Sequence, residues 1–298
     1  MDEKDWRLIE MLSIEKSITG AAQRLYVTQP SLTYRIQQIE QMFGTKILIR
    51  RKTGIEFTAE GELIACYARQ SLRELQKIID RVANTGSNVR GILRLGVSSI
   101  FAHYRLPELL KVFLQHYPDV EINVKTGWST EILQSVYREE VHIGIIRGDF
   151  QWPEHQHRLY FEPIHIVSKR EVDLAVLPKL PRIQYKTDLP LKNMIDSWWQ
   201  STYKSLAPRT TMEVDNIQTC KELVKKDLGY AILPGICLQE TDQLKIQPLR
   251  ATDRKILYRN TWLICRDSLL ELSAIRAFVD FSSNFNIDQN RTEGCESE

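Results

Sequence analysis

The stretch that decides the fold of this chain lies near its N-terminus, where residues 13–61 read SIEKSITGAAQRLYVTQPSLTYRIQQIEQMFGTKILIRRKTGIEFTAEG. Two short amphipathic patterns meet here at a tight turn formed by Tyr26 and Val27. Thr28 precedes the second pattern, where its hydroxyl can accept a hydrogen bond from the free N–H groups of a helix. Pro30 falls in the first turn of that helix, where the missing N–H is not needed. The sequence therefore predicts two helices in close succession.

The second of these helices is predicted to be amphipathic. Its apolar residues are spaced four, three and four positions apart, as on one buried face of a helix; they are Leu32, Ile36, Ile39 and Phe43. The positions outside that stripe carry short or planar hydrogen-bonding side chains, which suit base edges and phosphates. The residues predicted to point outward are Gln29, Ser31, Thr33, Tyr34, Arg35 and Gln38. Gly44 is predicted to end the helix.

A basic hairpin is predicted directly after the second helix. The segments KILIRR and GIEFT have the composition of strands and flank a turn at residues 52–54. Arg50, Arg51 and Lys52 would lie at its tip, where they can reach a phosphate or the minor groove. Two helices joined by a tight turn and followed by such a hairpin form a winged helix–turn–helix, which presents one helix to the major groove of duplex DNA.

Residues 17–61 resemble the N-terminal domain of the LysR-type transcriptional regulators, in the pattern S-x-x-x-A-A-x-x-L-x-x-(S/T)-Q-P-(A/S)-(V/L)-(S/T). The residues that carry the resemblance are Ser17, Ala21, Ala22, Leu25, Thr28, Gln29, Pro30, Ser31, Leu32, Thr33, Ile36, Glu40, Gly44, Arg50, Thr58 and Gly61. We expect the DNA-binding surface to consist of Gln29, Pro30, Ser31, Thr33, Tyr34, Arg35, Gln38, Arg50, Arg51 and Lys52. Tyr34 and Arg35 stand where the family more often has Arg followed by Gln, so a base preference cannot be carried over.

The overall charge of the chain says little about its partners. The formal net charge of the 298 residues is only +2, whereas residues 20–61 carry +3. This modest positive charge predicts salt-dependent DNA binding whose specificity comes from base contacts and dimer geometry. No apolar run approaches the roughly 18 residues that span a bilayer, and the acidic N-terminus is unlike a signal peptide. We therefore expect a cytoplasmic protein without a membrane partner.

A long helix is predicted after Gly61, because no Gly or Pro interrupts the chain up to Thr85. Its apolar residues alternate steps of three and four, as in a heptad seam; they are Ala65, Ala68, Leu72, Leu75, Ile79 and Val82. The seam predicts a dimerising helix, and the alanines would permit close approach of a partner helix. The alternative is a helix packed on its own chain. The family resemblance implies dimerisation, which lets two recognition helices read the half-sites of an inverted repeat. Residues 84–88 are predicted to form the hinge that follows.

From residue 91 onward, strands and helices alternate. The pattern predicts strands at 92–98, 120–125 and 141–146, with helices at 106–117 and 131–139 between them. Such a βαβαβ run indicates a mostly parallel sheet with right-handed crossovers. A second set of strands and helices begins near Pro163, and a C-terminal helix over 269–285 is expected to return to the first set.

These two α/β lobes resemble the effector domain of the LysR family, which is built like the periplasmic solute-binding proteins. The segments that carry the resemblance are LRLGVSS, FLQHYPDVEINV and VDNIQTCKELVKKDLGYAILP. The predicted fold class is therefore α/β, with a winged helix–turn–helix, a long dimerisation linker helix and a two-lobed effector domain. The predicted boundaries are 1–58 for the DNA-binding domain, 59–88 for the linker and hinge, and 89–298 for the effector domain, with lobe I at 91–162 plus 268–290 and lobe II at 163–267.

In a fold of this kind a ligand sits beyond the carboxyl ends of the strands, near helix N-termini. The residues expected there are Ser98, Ser99, Ser129, Thr130, Arg147 and Arg259. Backbone N–H groups, hydroxyls and guanidinium groups together favour a small organic anion, such as a di- or tricarboxylate. Alternatively, the serines only cap helices and Arg147 pairs with Asp149 or Glu131.

The sequence therefore predicts a DNA-binding transcriptional regulator, acting as an activator or a repressor, whose effector closes two lobes and so alters tetramer packing and DNA bending. The homotetramer is implied by the family resemblance alone. The expected partners are duplex DNA with an inverted-repeat operator, the small organic anion, further copies of the chain and RNA polymerase; no cofactor and no resident metal are expected.

Two other kinds of signal are alternatives to an anionic effector. A metal-responsive regulator is suggested by the histidines His103, His116, His142, His155, His157 and His165, although His155 and His157 are predicted to lie in a loop without a nearby cysteine. A redox-responsive regulator would need a pair such as Cys220 and Cys237, for which the spacing gives weak support. An α/β hydrolase is disfavoured, because the G-x-S-x-G, P-loop, G-x-G-x-x-G and H-E-x-x-H motifs do not occur.

Overall fold

The computed structural model describes residues 1–52, 54–83, 89–204 and 206–285. The chain divides into two compact units, Met1–Thr85 and Gly86–Glu298. The predicted hinge at 84–88 and the hairpin residue Thr53 lie outside the described residues. Within the described ranges, no helix is long and apolar enough to cross a membrane.

The N-terminal unit is built from four helices and one hairpin. Its elements are α1 (Glu3–Glu15), α2 (Ile18–Arg24), α3 (Gln29–Phe43), β1 (Leu48–Arg51), β2 (Gly54–Phe57) and α4 (Ala59–Ala83). The turn between α2 and α3 takes Tyr26 through a positive φ of 55°. The Thr28 hydroxyl accepts a hydrogen bond from the backbone N–H of Ser31 at 3.4 Å, and Gly44 ends α3 with a φ of 64°. The predicted beginning and end of α3 are therefore confirmed.

The buried face of α3 differs from the prediction at its last residue. Leu32, Ile36 and Ile39 are buried as expected, but Phe43 is 44% exposed. Glu40 takes the buried position, because its carboxylate accepts a hydrogen bond from the backbone N–H of Ile47 at 3.1 Å. Phe43 is the last residue of the helix, because Gly44 ends α3 in the left-handed conformation. The prediction of a buried Phe43 was wrong.

Helix α4 has two different faces along its length. Ala65 and Ala68 are fully buried in the core of the N-terminal unit, where α4 packs against α1. The small side chains thus permit close approach of a helix of the same chain, rather than of a partner as predicted. Farther along, Ile79 and Val82 are 45% and 69% exposed. The apolar side chains in the second half of the predicted seam are therefore exposed to solvent.

The C-terminal unit alternates strands and helices. Its elements are β3 (Gly91–Ser98), α5 (Ser99–Tyr104), α6 (Leu106–His116), β4 (Val120–Gly127), α7 (Ser129–Tyr137), β5 (Ile143–Arg147), β6 (His155–Ser168), β7 (Arg182–Tyr185), α8 (Leu189–Tyr203), β8 (Thr210–Val214), α9 (Ile217–Lys225), β9 (Ala231–Pro234), β10 (Lys245–Pro248), β11 (Tyr258–Cys265) and α10 (Ser273–Asn284). Helix α10 returns to the first lobe as expected, where the rings of Phe113 and Phe278 lie 5.0 Å apart.

The first lobe contains a mixed sheet in the order β4-β3-β5-β11-β6. Only β4, β3 and β5 are parallel, as the βαβαβ pattern predicted. Strand β11 enters antiparallel between β5 and β6, although its residues were assigned to the second lobe. Strand β11 is antiparallel because the chain returns from the second lobe at this point and therefore enters the first sheet from the opposite end.

Strand β6 connects the two lobes. Its first half pairs with β11, and its second half pairs with β9 and β10. His155 and His157 therefore lie on a strand, and their predicted placement in a loop was wrong. A second set of strands and helices was predicted to begin near Pro163. This residue instead lies inside β6 opposite Tyr258, at the point where β6 changes partners. A proline is tolerated at such an irregular point of a ladder.

The second lobe packs around two adjacent tryptophans. Trp198 and Trp199 of α8 are buried, and their indole N–H groups donate to the carbonyls of Arg250 and Leu206, each at 2.7 Å. Strands β7 and β8 form a parallel pair beside this helix, and an isolated bridge joins Arg182 to Tyr230 next to β9. The tryptophans are therefore packing anchors, as expected for adjacent aromatic residues in a core.

Candidate functional site

The exposed face of α3 carries most of the residues predicted to contact DNA. Gln29, Pro30, Ser31, Tyr34 and Gln38 are exposed, and Thr33 is half-buried. The Tyr34 ring is 61% exposed without an aromatic neighbour to cover it among the described residues. Amide, hydroxyl and phenol groups on one face of a helix can donate to and accept from base edges in a major groove.

Arg35 is also on α3 but is directed towards α1. Its Nε donates to Asp5 at 2.5 Å, and its Nη2 donates to Asp2 at 2.7 Å. The same two acids form the capping box at the N-terminus of α1. Hydrogen bonds from Arg35 to these carboxylates raise the pKa of Arg35. Arg35 therefore ties α3 to the start of α1, and a DNA contact by this residue stays a prediction.

The hairpin extends its basic residues into solvent. Arg50, Arg51 and Lys52 are exposed, and the Nε of Arg51 donates to Glu56 on the opposite strand at 3.0 Å. The hairpin is fixed to the end of α1, because the backbone N–H of Ile55 donates to the carbonyl of Lys16 at 2.9 Å. A phosphate contact by Arg50 and Lys52 is thus compatible with their exposure.

In the C-terminal unit, a cleft of about 170 Å³ lies where α5, α7, α8 and α9 begin. We call it the effector cleft; it is lined by Ser98, Ser99, Ile100, Gly127, Trp128, Ser129, Arg147, Tyr185, Lys186, Thr187, Asp188, Leu191, Asp215, Asn216, Ile217, Gln218, Pro234 and Arg259. Five of the six residues predicted for this site line it. Thr130 does not, because it is exposed on the outer side of the first turn of α7; the prediction that it lies on the cleft wall was wrong.

The three serines of the effector cleft differ in their hydrogen bonding. The Ser129 hydroxyl accepts from the backbone N–H of Arg147 at 3.0 Å, and the Ser99 hydroxyl donates to the carbonyl of Gly127 at 3.3 Å. The Ser98 hydroxyl is buried and has no hydrogen-bond partner among the described residues. Of the three, Ser98 is therefore the one whose hydrogen-bonding capacity is unused.

Both arginines of the cleft are paired with carboxylates of the chain. Arg147 forms a buried ion pair with Glu162, which is a different partner from the Asp149 or Glu131 of the alternative prediction. Arg259 pairs with Asp188, whose side chain also accepts from the backbone N–H of Leu191 at the start of α8. Burial and the nearby Arg147 lower the pKa of Arg259. Neither guanidinium is therefore an uncompensated charge in the cleft.

The sequence did not indicate one wall of the effector cleft, which is formed by the last residue of β7 and the residues after it. Tyr185, Lys186 and Thr187 line it, together with Asp215 just before α9. The β7 strand has only four residues and carries no turn signal that would mark it. A hint was available at Asp188, because Asp-Leu-Pro is a typical helix start and the residues preceding a helix N-terminus often face a ligand site.

The described residues give no support to the metal or redox alternatives. Among them, no group of three or more His, Cys, Asp or Glu residues is placed to hold a metal ion. Cys220 and Cys237 are buried free thiols, and burial raises the pKa of each to about 12. A thiol with such a pKa is almost fully protonated at neutral pH and is therefore a poor nucleophile towards oxidants.

Two protein families match this chain. Residues 4–62 match the family described as bacterial regulatory helix-turn-helix protein, lysR family, and residues 86–285 match the LysR substrate binding domain. The uncharacterized HTH-type transcriptional regulator YraN of Bacillus subtilis (strain 168) is 47% identical over 281 residues, which cover 94% of this chain and 97% of YraN. The uncharacterized regulator YkuM of the same strain is 34% identical over 94% of this chain and 96% of its own length.

Solved structures share the fold at low sequence identity. A full-length single-residue variant of OxyR from Pseudomonas aeruginosa superposes with a TM-score of 0.64 at 20% identity, covering 97% of this chain and all of that one. Full-length CbnR in complex with its target DNA gives a TM-score of 0.66 at 18% identity, covering 95% and 99%. The family matches and the identity to YraN cover both units, and the relatives are regulators rather than enzymes. The chain therefore belongs to the LysR family of DNA-binding transcriptional regulators.

Proposed function

We propose that this regulator reads an inverted-repeat operator with α3 and the β1–β2 hairpin, and that a small carboxylate in the effector cleft modulates the binding or the transcriptional outcome. Family membership establishes DNA binding and an effector domain. The identity of the effector as an organic anion is the proposed step. Because DNA is its partner, the proposed place of action is the cytoplasm.

The observation that carries the effector proposal is the unpartnered hydroxyl of Ser98, for which the described residues offer no hydrogen-bond partner. It lies where β3 passes into α5, in a cleft that the N-termini of α7 and α9 also face. Helix N-termini present free N–H groups and a partial positive charge, so they favour a carboxylate over a neutral ligand. Lys186 also lines this cleft.

The size and charge of the cleft limit the effector further. A volume of about 170 Å³ is smaller than the roughly 300–1,000 Å³ typical of drug-sized ligands. Because Arg147 and Arg259 are already neutralised, the carboxylate is proposed to bind mainly to backbone N–H groups and hydroxyls. Charge-assisted hydrogen bonds contribute about 1.5–3 kcal/mol each, so three or four of them are sufficient for micromolar binding.

Dimerisation is proposed to use the open half of α4. Leu75, Ile78, Ile79 and Val82 leave large apolar surface exposed on this helix, which a second copy would cover. A dimer places two α3 helices against two half-sites. Movement of the two lobes about the effector is proposed to alter packing within a tetramer, and so the bend of the DNA and its contact with RNA polymerase.

The effector proposal is tested by thermal unfolding of the full chain with acetate, succinate, citrate and related carboxylates. We expect a saturable rise in Tm with one of them, because a ligand at about 100 times its Kd stabilises the native state by about 2.7 kcal/mol. The rise should be lost in Ser98→Ala. It should be retained in Ser201→Ala, which removes an exposed hydroxyl of α8 that donates to the Ser197 carbonyl. A rise that persists in Ser98→Ala, or no rise with any carboxylate, would contradict the proposal.

A further inference from the structure

A second basic site lies in the other part of the effector domain, at the beginning of β7. Arg182 is 7% exposed, yet its guanidinium makes no ion pair with any residue that the structure describes. Its Nε has no hydrogen-bond partner among those residues. The guanidinium carbon lies 5.4 Å from the centre of the Trp199 ring, so one face of the cation rests on an aromatic surface. Arg147 and Arg259, which are buried in the same unit, each have a carboxylate partner.

A buried cation without an ion-pair partner is unusual; Asp196 favours the charged form of Arg182 from beyond ion-pair distance. Desolvation of an ion is unfavourable unless a partner and hydrogen bonds replace the lost water. The stacking on Trp199 compensates for part of this, and burial lowers the pKa of Arg182. Stacking occupies the face of the guanidinium and leaves its edge available for in-plane hydrogen bonds. The arrangement therefore lacks one component, an oxygen acceptor at that edge.

Arg182 lines a cavity of about 160 Å³, which is distinct from the effector cleft. Two further cations line this cavity, Lys186 after β7 and Lys192 on α8. The carboxylates that line it, Asp196 and Glu213, are exposed and do not come within ion-pair distance of Arg182. Three cationic groups thus face two carboxylates here, and none of the described residues pairs with the buried cation.

We propose that this cavity is a second binding site, in which Arg182 holds a small oxyanion through its guanidinium edge, with Lys192 as a second contact. A guanidinium binds two oxygens of one carboxylate or phosphate in parallel hydrogen bonds, so either kind of oxyanion has the required chemistry. The inference does not rest on the nature of the ligand in the effector cleft, because none of the cleft serines lines this cavity.

The position of the site gives it a consequence for regulation. Tyr185, Lys186 and Thr187 line both the second cavity and the effector cleft. This short stretch therefore forms part of the wall of both cavities. An oxyanion held at Arg182 therefore alters the same segment that forms a wall of the effector cleft. Occupancy of one site would change the affinity of the other, by an equal factor in both directions.

The test is titration of the full chain with inorganic phosphate and, separately, with acetate, followed by calorimetry and by Tm. These two probes distinguish a phosphate ligand from a carboxylate ligand. We expect saturable binding of one probe to the native sequence and to Arg170→Gln, which changes an exposed arginine of the same lobe that pairs with Asp227. In Arg182→Gln the affinity should fall by about tenfold to a hundredfold, as expected when a charge-assisted pair of hydrogen bonds is lost.

Two other variants keep the proposal testable if Arg182→Gln does not fold. Arg182→Lys preserves the charge but not the two-pronged edge, and Lys192→Gln changes an exposed side chain of the cavity wall. Both should weaken binding of the probe, and the exposed Lys192→Gln should do so without lowering the Tm of the unliganded protein. Unchanged affinity in these variants would overturn the proposal. So would the absence of saturable binding to the native sequence, or loss of binding in Ser99→Ala with retention in Arg182→Gln, which would move the ligand to the effector cleft.

Discussion

The two units of this regulator use arginine–carboxylate pairs in opposite environments. In the DNA-binding unit, the side chains of Arg35 and Asp2 are 40% and 57% exposed where they pair. In the effector domain, the side chains of Arg147 and Glu162 are 2% and 1% exposed. An exposed pair contributes little to stability, because water screens it and solvates either partner alone. A buried pair cannot be separated without leaving a charge in a nonpolar environment. Loss of the exposed pair should therefore change the stability of the fold only slightly. Loss of one partner of the buried pair should destabilise the fold strongly.

The largest expected effect comes from breaking the buried pair. Glu162→Gln leaves Arg147 buried without a counter-charge and should lower the free energy of unfolding by about 3–5 kcal/mol. Urea denaturation followed by tryptophan fluorescence measures this loss. Glu213→Gln, which changes an exposed carboxylate of the same unit, should stay within about 0.5 kcal/mol of the native sequence.

A second substitution tests whether the loss comes from the unpaired charge rather than from packing. Replacing both Arg147 and Glu162 by Met removes the charge together with its partner, so most of the stability should return. A double variant as unstable as Glu162→Gln would show that shape, and not charge, holds this part of the fold.

The next effect concerns affinity rather than stability. Gln29→Ala and Tyr34→Ala should each weaken operator binding by about 1–3 kcal/mol if these side chains contact base edges. The oligomeric state should not change, because both residues are exposed on α3. Fluorescence anisotropy with labelled operator, together with analytical ultracentrifugation, provides the measurement.

Arg35→Ala serves as the comparison for that measurement. Because Arg35 is held by Asp2 and Asp5, we expect a smaller and less sequence-dependent loss of affinity than for Gln29→Ala. If Arg35→Ala alone abolished discrimination between operator and unrelated DNA, Arg35 would have to leave its pair and read a base.

The smallest effect is the pH dependence of the exposed pair. The backbone N–H of Asp5 and the Arg35 guanidinium lower the pKa of Asp2 below its usual value. A carboxyl with a depressed folded-state pKa stabilises the fold above its unfolded pKa, and that contribution is lost as the pH falls through the folded pKa. We therefore expect the Tm of Asp2→Asn to approach that of the native sequence below about pH 4. A difference in Tm that stayed unchanged as the pH fell well below about 4 would contradict this origin.

The features that could be predicted from sequence are those that depend on neighbours in the chain. Thr28, Pro30 and Gly44 bound α3 by local backbone chemistry, and the apolar spacing identified Leu32, Ile36 and Ile39 as buried. Phe43 shows where this reasoning fails: periodicity places a side chain on a face, but only a neighbouring element can bury it. The same is true of α4. The spacing of Ala65 and Ala68 fits a dimer seam, but the helix that they pack against is α1 of the same chain.

In the effector domain, less of the site could be predicted from the sequence. The cleft residues Ser98, Ser99 and Ser129 could be predicted, because strand ends and helix starts are local patterns. The partners of the two arginines could not. Several carboxylates lie at comparable distances from Arg147 in sequence, and Asp188 lies 71 residues from Arg259, so the choice of partner depends on where β6 and β11 lie in the sheet.

The amino-acid sequence was sufficient for the winged helix–turn–helix, the alternation of strands and helices, and the family to which the chain belongs. The first two follow from hydrophobic period, capping and turn residues, all of which act within a few positions of the chain, and the family follows from the resemblance of residues 17–61 to its DNA-binding domain. Only the three-dimensional arrangement shows which charges are neutralised. Among the described residues, Arg35, Arg147 and Arg259 acquire carboxylate partners, whereas Arg182 acquires an aromatic ring and a cavity. The physical reason is that ion pairing and burial depend on distance in space, which residue spacing along the chain does not specify.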